Sequence, residues 1–243
     1  MKRFAPSLLV LLAACSGGGG DGNSSQAATG PAIAAPAGAN WTETVTRTPE
    51  GGFRMGNPDA PVKLVEYGAR TCPTCGAFSR AAATPLEQNY VASGRVSFEF
   101  RDFLVHGAPD LAAALVGQCA GAGPFFPIMN QMYAEQPALL DKLQAAIPAL
   151  EARARSQTPA QQVSAIADAM GLVDFAKQRG VPEGQVRQCL ADTAAMDRLT
   201  KSSSDAAAGG RVTGTPTFYV NDEPVPGAVS WPQVEEALKR AGA

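Results

Sequence analysis

Two cysteines three residues apart, Cys72 and Cys75, are the strongest chemical signal in the sequence. They follow residues 62–67, which have the pattern of a short buried strand, and they open a segment with helical periodicity. This spacing places both sulfurs on one side of the first helical turn. The positive helix end favours a thiolate at Cys72, which attacks disulfides, while the second thiol resolves the mixed disulfide. The pair therefore predicts thiol–disulfide exchange.

Two other interpretations of the pair stay open at this point. The cysteines could form half of a zinc site, although a Cys₄ site needs a second close pair. The remaining candidates, Cys119, Cys189 and the only histidine, His106, stand apart from one another. The pair could also be a static disulfide, although so small a ring favours a labile bond. We expect no metal, and no cofactor other than the redox-active Cys72–Cys75 disulfide.

Glu66 is the unusual member of the strand that precedes the cysteines. It shares a strand face with Val62 and Leu64, because residues two apart point to the same side. A carboxylate on an apolar face is unfavourable unless it has a partner or a task. We interpret Glu66 as a proton acceptor beneath the cysteines, with its pKa raised by burial. The alternative is a surface glutamate or an ion-pair partner.

The elements around the pair suggest a β/α frame with a helical block inside it. Residues 41–48 read as an edge strand, 72–93 as a helix capped by Thr71 and kinked at Pro85, and 95–103 as a strand parallel to 62–67. Six helical segments follow: 109–120, 125–134, 137–155, 159–170, 173–179 and 182–206. Residues 217–220 then form a strand, Asn221-Asp222 turns a hairpin, and Ser230 with Gln233 caps a final helix.

The N-terminus has the features of an export signal. Lys2 and Arg3 precede a short apolar stretch, and Leu12-Ala13-Ala14-Cys15 resembles a bacterial lipobox. The resemblance implies a signal peptide at 1–14, lipidation of Cys15 and a membrane anchor. Residues 15–40, rich in Gly, Ala and Ser, are predicted to be a flexible tether. The alternative is an ordinary signal peptide. Both place the protein in the periplasm, and Ser16 slightly favours the outer membrane.

The whole chain sets broad limits on function. With 243 residues and 45% hydrophobic residues, it can form one good-sized domain or two small ones. The net charge of −2 gives no electrostatic reason to expect nucleic-acid binding.

Four motifs together resemble the DsbA-like branch of the thioredoxin superfamily. They are Gly56-Asn57-Pro58-Asp59-Ala60-Pro61-Val62, Glu66-Tyr67, Cys72-Pro73-Thr74-Cys75 and Gly214-Thr215-Pro216-Thr217. The resemblance covers residues 41–243. It implies an α/β fold, a thioredoxin fold with a helical insertion at about 107–210 between its two halves.

The resemblance also implies a role for each site residue. Cys72 matches the exposed nucleophile and Cys75 the resolving thiol, while Glu66 matches the buried acid that moves protons for Cys75. Pro216 matches a cis-proline facing the disulfide, and Thr215 matches the residue whose backbone pairs with an extended substrate. The implied partners are exported proteins that contain cysteines and a membrane redox partner that recycles the pair.

The direction of electron flow is not fixed by these residues. DsbA itself has a histidine between the cysteines, where this chain has Thr74. We expect a dithiol oxidase of the periplasm. The alternatives are a reductase or isomerase of the same fold and a non-enzymatic tethered holdase or adaptor.

Three further predictions concern residues outside the redox pair. Cys119 and Cys189 lie on apolar helix faces and are expected to form a structural disulfide, the alternative being two buried free thiols. His106 is expected to be an ordinary surface residue. The cluster of Phe125, Phe126, Pro127, Met129 and Met132 is assigned to the core, or alternatively to a hydrophobic groove for unfolded substrate.

Overall fold

A computed structural model describes residue 1 and residues 31–243 of the chain. Apart from residue 1, the predicted signal peptide at 1–14, the predicted lipidation site Cys15 and most of the predicted tether lie outside the described residues. Within the described part, no helix has the length and apolar character needed to cross a membrane.

Within residues 31–243, six strands form one mixed sheet. The strands are β1 (Val45–Arg47), β2 (Phe53–Met55), β3 (Val62–Gly68), β4 (Val96–Asp102), β5 (Thr217–Val220) and β6 (Glu223–Pro224). Their order is β1-β2-β4-β3-β5-β6, with β3 parallel to β4 and the other pairs antiparallel. The parallel crossover predicted from the sequence is confirmed, and it places β3 in the interior of the sheet.

The described part of the chain also contains eight α-helices. They are α1 (Pro73–Pro85), α2 (Ala108–Gln118), α3 (Phe125–Ala154), α4 (Pro159–Met170), α5 (Leu172–Lys177), α6 (Glu183–Ala191), α7 (Thr193–Ala208) and α8 (Trp231–Arg240). Helices α2 to α7 lie between β4 and β5 in the chain. The thioredoxin-like fold with a helical insertion is therefore confirmed.

Two separate apolar clusters make up most of the core. The first packs one side of the sheet against α1, α8 and the start of α3, and it includes Phe125, Phe126 and Met129. The second lies within the helical insertion and includes Met132. All four side chains are at most 2% exposed, so they belong to the core and do not line a substrate groove.

Helix α3 is one continuous helix, although the sequence predicted a break before Pro137. A proline has no N–H to donate to the carbonyl four residues earlier, which here is Tyr133. Arg80 of α1 donates from Nη1 to the Tyr133 oxygen at 2.8 Å. The carbonyl left without its helical donor is therefore satisfied by a neighbouring helix, and α3 continues.

The predicted helix over 182–206 is two helices. Asp192 has extended backbone angles, and its side chain accepts a hydrogen bond from the backbone N–H of Ala195. Asp192 is therefore the N-cap of α7, and α6 ends one residue before it. The N-cap preference of aspartate outweighs the helical periodicity across this position.

Two other element boundaries differ from the predictions. Residues 41–48 form a 3₁₀ turn (Trp41–Glu43) followed by β1, and the chain after Pro85 continues as a π-helix (Leu86–Val91). Part of the predicted tether also packs on the domain. The Ile33 N–H donates to the Ser93 oxygen, and Trp41 Nε1 donates to the Ile33 oxygen, both at 2.7 Å. The packed domain therefore begins before the predicted boundary at residue 41.

Candidate functional site

The redox turn, residues 69–75, connects the end of β3 to the start of α1. Cys72, with φ −79° and ψ 117°, is the N-cap of α1, and its sulfur accepts the Cys75 N–H at 3.5 Å. Thr71, which the sequence analysis placed at the cap, instead bonds to residues of the β4–α2 segment. The predicted cap was therefore one residue too early. The sulfur itself takes the place that a capping oxygen usually occupies.

The surroundings of Cys72 favour its thiolate. Its pKa falls from 9.0 to about 5, chiefly because the Cys75 side chain hydrogen-bonds to the Cys72 sulfur. Burial opposes this shift, while the Thr215 side chain and the backbone of Thr74 and Cys75 support it. A pKa below neutrality favours the thiolate at physiological pH, which is the form that a nucleophilic cysteine needs.

Cys75 has the opposite character. Its side chain is fully buried, and its pKa is raised by burial, by the hydrogen bond to Cys72 and by the charge of Glu66. Both cysteines are free thiols in this structure. Cys75 therefore stays protonated until a base removes its proton, so the two thiols differ strongly in acidity.

Glu66 lies in the sheet beneath the turn and is 2% exposed. In register, it is opposite Phe100 of β4 and Phe218 of β5, so aromatic residues flank it on both neighbouring strands. Its pKa rises from 4.5 to about 8, first because of burial and second because of the Cys72 charge. Its Oε1 atom has no hydrogen-bond partner in the described part of the chain. A buried carboxyl with this pKa can accept and return a proton near neutral pH.

The Thr215–Pro216 peptide bond is cis, as the resemblance implied. The loop that contains this bond contacts the redox turn directly. The protonated Cys72 thiol donates a hydrogen bond to the backbone oxygen of Thr215 at 3.4 Å. Thr215 is half-buried and Pro216 is buried. The structure thus brings together residues that are 143 positions apart in the sequence.

The helical insertion holds the redox turn from the other side. Gln136 of α3 is buried, and its Nε2 atom donates to the Arg70 and Cys72 oxygens, both at 2.9 Å. Tyr133 Oη donates to the Ala69 oxygen at 3.2 Å. A Cβ atom at residue 76 would collide with the Gln136 side chain, which explains the glycine after Cys75. Gln136 was not among the predicted site residues, since nothing near it in the chain marks it as functional.

A buried ion pair fixes the start of the turn. Arg70 Nε lies 2.6 Å from Asp102 Oδ1, and both side chains are nearly inaccessible. Gln118 Nε2 donates to the other Asp102 oxygen at 2.8 Å. The Arg70 guanidinium also lies 5.1 Å from the ring centroid of Phe125. The pair joins the turn, β4, α2 and α3, and the sequence analysis did not identify it.

His106 has a partner that the sequence analysis did not anticipate. Its Nδ1 atom lies 2.8 Å from the hydroxyl of Thr71, the residue before Cys72. Asp110, which is 1% exposed, accepts hydrogen bonds from the His106 N–H and from the N–H and hydroxyl of Thr71. Burial raises the pKa of Asp110. The spacing of His106 and Asp110 at a helix start was the available signal.

Cys119 and Cys189 form a disulfide, which confirms the prediction over the alternative of free thiols. The S–S distance is 2.07 Å and the Cα atoms are 5.9 Å apart. The bond joins the end of α2 to α6, and Gln185 Nε2 donates to the Cys119 oxygen at 2.9 Å beside it. In the described residues, no cluster of three or more His, Cys, Asp or Glu side chains could hold a metal ion.

Comparison with known proteins agrees with this geometry. A thioredoxin family model matches residues 48–240. A putative protein-disulfide oxidoreductase of Rickettsia bellii is 23% identical over 167 residues, which are 69% of this chain and 56% of that protein. This chain thus spans about half the length of that relative.

Two solved structures extend the comparison. A protein-disulfide isomerase from Novosphingobium aromaticivorans is 27% identical and has a TM-score of 0.72, covering 78% of this chain and 97% of the other. The alpha-DsbA1 of Wolbachia pipientis has a TM-score of 0.61 at 19% identity, covering 80% and 94%. Both are similar to this chain over the sheet and the helical insertion together, since each covers more than three quarters of it.

Proposed function

The chain belongs to the thioredoxin family, and we propose that it is a protein thiol–disulfide oxidoreductase with Cys72 and Cys75 as its redox pair. One observation carries the proposal: a thiolate-forming cysteine caps a helix beside a buried, protonated second thiol. A structural disulfide needs no such difference between its sulfurs, whereas exchange chemistry needs one attacking and one resolving thiol. The names of the Rickettsia and Novosphingobium proteins support the same activity.

In the oxidase direction, the reaction begins with the Cys72–Cys75 disulfide. A substrate thiolate attacks the Cys72 sulfur, the Cys72–Cys75 bond breaks, and Cys75 leaves as a thiolate that takes a proton from Glu66. A second substrate thiolate attacks the substrate sulfur of the mixed disulfide and releases the Cys72 thiolate. The substrate gains a disulfide, and the enzyme holds the two electrons as a dithiol.

We propose that oxidation of substrates is the favoured direction. The low pKa of Cys72 means that the reduced protein contains a stabilised thiolate at neutral pH. Stabilising the reduced form makes the disulfide a stronger oxidant. The histidine that DsbA has between its cysteines is not needed for this thiolate, because the Cys75 side chain and the backbone of the helix start stabilise its charge.

The substrates we propose are extended, unfolded chains that contain cysteines. Residues 73 and 74 are exposed beside Cys72, while Thr215 borders the sulfur from the opposite loop. An extended chain that pairs with the backbone of Thr215 would bring its own sulfur to Cys72.

The location and the recycling partner are also proposals. Lys2, Arg3 and the Leu12-Ala13-Ala14-Cys15 motif support export to the periplasm and a lipid anchor on Cys15, with the outer membrane slightly favoured. After each oxidation, the dithiol must transfer two electrons to an oxidant, and we propose a redox protein of the membrane for this step.

The test uses a reduced, unfolded protein with two cysteines as substrate and follows its free thiols. Wild type should oxidise it stoichiometrically, while Cys72→Ala should lose this activity because no sulfur remains to be attacked. Cys119→Ala combined with Cys189→Ala serves as the matched control and should retain oxidation. Equal oxidation by Cys72→Ala and wild type would refute the enzyme and favour a holdase or adaptor.

A further inference from the structure

His106, the only histidine of the chain, lies beside the redox turn and takes no part in the exchange steps of the two cysteines. Those steps leave one requirement open, the proton of the substrate thiol. Only the thiolate attacks a disulfide, and a cysteine with an ordinary pKa of roughly 8.5 is about 3% thiolate at pH 7. A base near Cys72 would therefore speed the first step of the proposed oxidation.

The loop that carries His106 is anchored to two neighbouring elements. The Phe103 N–H donates to the Gly68 oxygen at the end of β3, at 2.8 Å. The Leu104 N–H donates to Ser203 Oγ of α7 at 3.0 Å. The imidazole therefore extends from a backbone whose position is fixed by β3 and α7.

The hydrogen bonds of the Thr71 hydroxyl determine which imidazole nitrogen carries a proton. The hydroxyl has one proton, and it donates this proton to Asp110 Oδ1 at 2.7 Å. His106 Nδ1 lies 2.8 Å from the same hydroxyl oxygen, so Nδ1 must be the donor in that contact. In neutral His106, the proton thus lies on Nδ1, and Nε2 has the lone pair that can accept a second one.

Asp110 maintains this arrangement from a buried position. Its carboxylate also accepts the Thr71 N–H at 2.9 Å and the His106 N–H at 2.8 Å. The three hydrogen bonds to Asp110 favour its ionised form, against the effect of burial. Asp110 Oδ2 lies 3.6 Å from His106 Nδ1, so the two residues form an ion pair when the imidazole takes up a proton.

The imidazole is open to solvent, whereas its two partners are not. The His106 side chain is 51% exposed, while Thr71 is 4% exposed and Asp110 is 1% exposed. Thr71 directly precedes Cys72, and consecutive Cα atoms are only about 3.8 Å apart. The imidazole therefore lies at the protein surface, one hydrogen bond from the residue next to Cys72.

We propose that His106 is the catalytic base that accepts, at Nε2, the proton of the incoming substrate thiol. The inference rests on the proposed oxidoreductase activity and adds a residue to it. Thr71 and Asp110 touch no substrate and act through His106, so both are positioning residues. The substrates that need this base are ordinary cysteine thiols, most of which are protonated at neutral pH.

The proton and the electrons of the first step can be followed atom by atom. The substrate S–H gives its proton to His106 Nε2, and the substrate thiolate attacks the Cys72 sulfur. The bond between substrate and Cys72 forms, the Cys72–Cys75 bond breaks, and its electron pair leaves on Cys75. The imidazolium then releases its proton to solvent, to which the side chain is exposed. In the reverse direction, the imidazolium protonates the leaving substrate thiolate.

The experiment compares two peptides that differ in one atom, on the full chain carrying Cys15→Ser and with the Cys119–Cys189 bond intact. The first peptide has two cysteines, and the second has a selenocysteine in place of one of them. A selenol is ionised at neutral pH and needs no base, whereas a thiol does. Acid quenching and mass spectrometry measure how fast each peptide reduces the oxidised enzyme at pH 7, without oxygen.

His106→Asn removes Nε2 but keeps an N–H group at the position of Nδ1, so it retains a donor to Thr71. We expect the thiol peptide to react about tenfold more slowly, because only about 3% of the thiol is thiolate without a base. The selenol peptide and the equilibrium redox potential should keep their wild-type values. Val105→Ala, which changes the exposed neighbour in the same loop, is the matched control and should keep both rates.

Two further measurements separate a base from a residue that only supports the fold. Raising the pH above roughly 8.5 should remove the difference between His106→Asn and wild type, because the thiol peptide then ionises without help. Thr71→Val, which removes the hydroxyl that orients the imidazole, should slow the thiol peptide more than the selenol peptide.

Three results would contradict this assignment. Equal slowing of both peptides by His106→Asn would show that the residue only supports the fold, and it would overturn the proposal. A wild-type rate of His106→Asn with the thiol peptide would overturn it as well. If wild type oxidised neither peptide, the proposed oxidoreductase activity itself would fail.

Discussion

The two cysteine pairs of this molecule differ in almost every property that controls sulfur chemistry. Cys72 and Cys75 are three residues apart, lie at a helix start, and are free thiols. Cys119 and Cys189 are 70 residues apart, lie in the helical insertion, and are bonded. The sequence separation of each pair determines how much its disulfide can stabilise the fold. A bond across 70 residues restricts the unfolded chain strongly, whereas a bond across three residues hardly restricts it.

The surroundings of the two pairs explain the remaining difference. Next to the redox pair, charged and polar groups are buried without full compensation, including the Glu66 carboxyl. The second pair joins helices whose other buried side chains are almost all apolar. The surroundings of the redox turn thus keep Cys72 and Glu66 in protonation states that favour reaction. The helical insertion supplies stability, and its residues Gln136 and Tyr133 hold the redox turn in place.

Among the variants considered, Glu66→Gln should have the largest effect, and it should act on the reaction of the Cys72 and Cys75 pair. Gln cannot accept the Cys75 proton, so the attack of Cys75 on a mixed disulfide should slow by roughly 10²–10⁴-fold. Stopped-flow release of thionitrobenzoate measures this step, and Glu236→Gln is the control. A resolving rate within twofold of wild type would show that Glu66 is not the proton acceptor.

The double variant Cys119→Ala with Cys189→Ala should instead destabilise the helical insertion. Opening a 70-residue loop lowers the free energy of unfolding by roughly 4 kcal/mol in the chain-entropy model, without affecting the Cys72 thiolate. Urea denaturation of the variant and wild type measures the loss. Unchanged stability together with lost thiol oxidation would contradict the assignment of stability to the Cys119–Cys189 bond and of oxidation to Cys72 and Cys75.

The change in the free energy of unfolding with pH should also distinguish the two regions, with a smaller effect. Native Glu66 has a raised pKa, so it keeps its proton from pH 4.5 to about 8 while the unfolded chain loses it. The stability that protonated Glu66 gives is complete below pH 4.5 and declines as pH rises to about 8. Relative to Glu66→Gln, wild type should therefore lose up to about 1.4 kcal/mol per pH unit in this window.

Urea denaturation at several pH values measures this dependence. The oxidised protein is used, because Cys72 then carries no thiolate whose own titration would oppose that of Glu66. Burial, the larger cause, still raises the pKa of Glu66 in this form, but the window ends below pH 8 because the Cys72 charge is absent. Parallel pH curves for wild type and Glu66→Gln between pH 5 and 8 would mean that the Glu66 carboxyl titrates normally.

The sequence predicted those parts of the site whose signals are local. The spacing of Cys72 and Cys75 and the place of Glu66 on an apolar strand face follow from strand and helix periods. The cis bond at Pro216 came from the family resemblance. These residues lie on β3, α1 and the loop before β5, which are the elements with the clearest patterns.

The contacts that hold the site were not predictable in the same way. Gln136 reaches the turn from 66 residues away, and neither its type nor its neighbours indicate that role. The continuity of α3 depends on Arg80, a residue of another helix, satisfying the carbonyl that Pro137 leaves without a donor. Local rules identify the residues proposed to do the chemistry, whereas the residues that hold them depend on tertiary contacts.

The equilibrium redox potential of Cys72 and Cys75 tests the central claim most directly. The full chain is equilibrated in glutathione buffers, and the state of Cys119–Cys189 is followed by mass spectrometry. A stabilised Cys72 thiolate predicts a potential nearer to the roughly −120 mV of DsbA than to the roughly −270 mV of thioredoxin. A value at or below that of thioredoxin would contradict the account and make the protein a reductase.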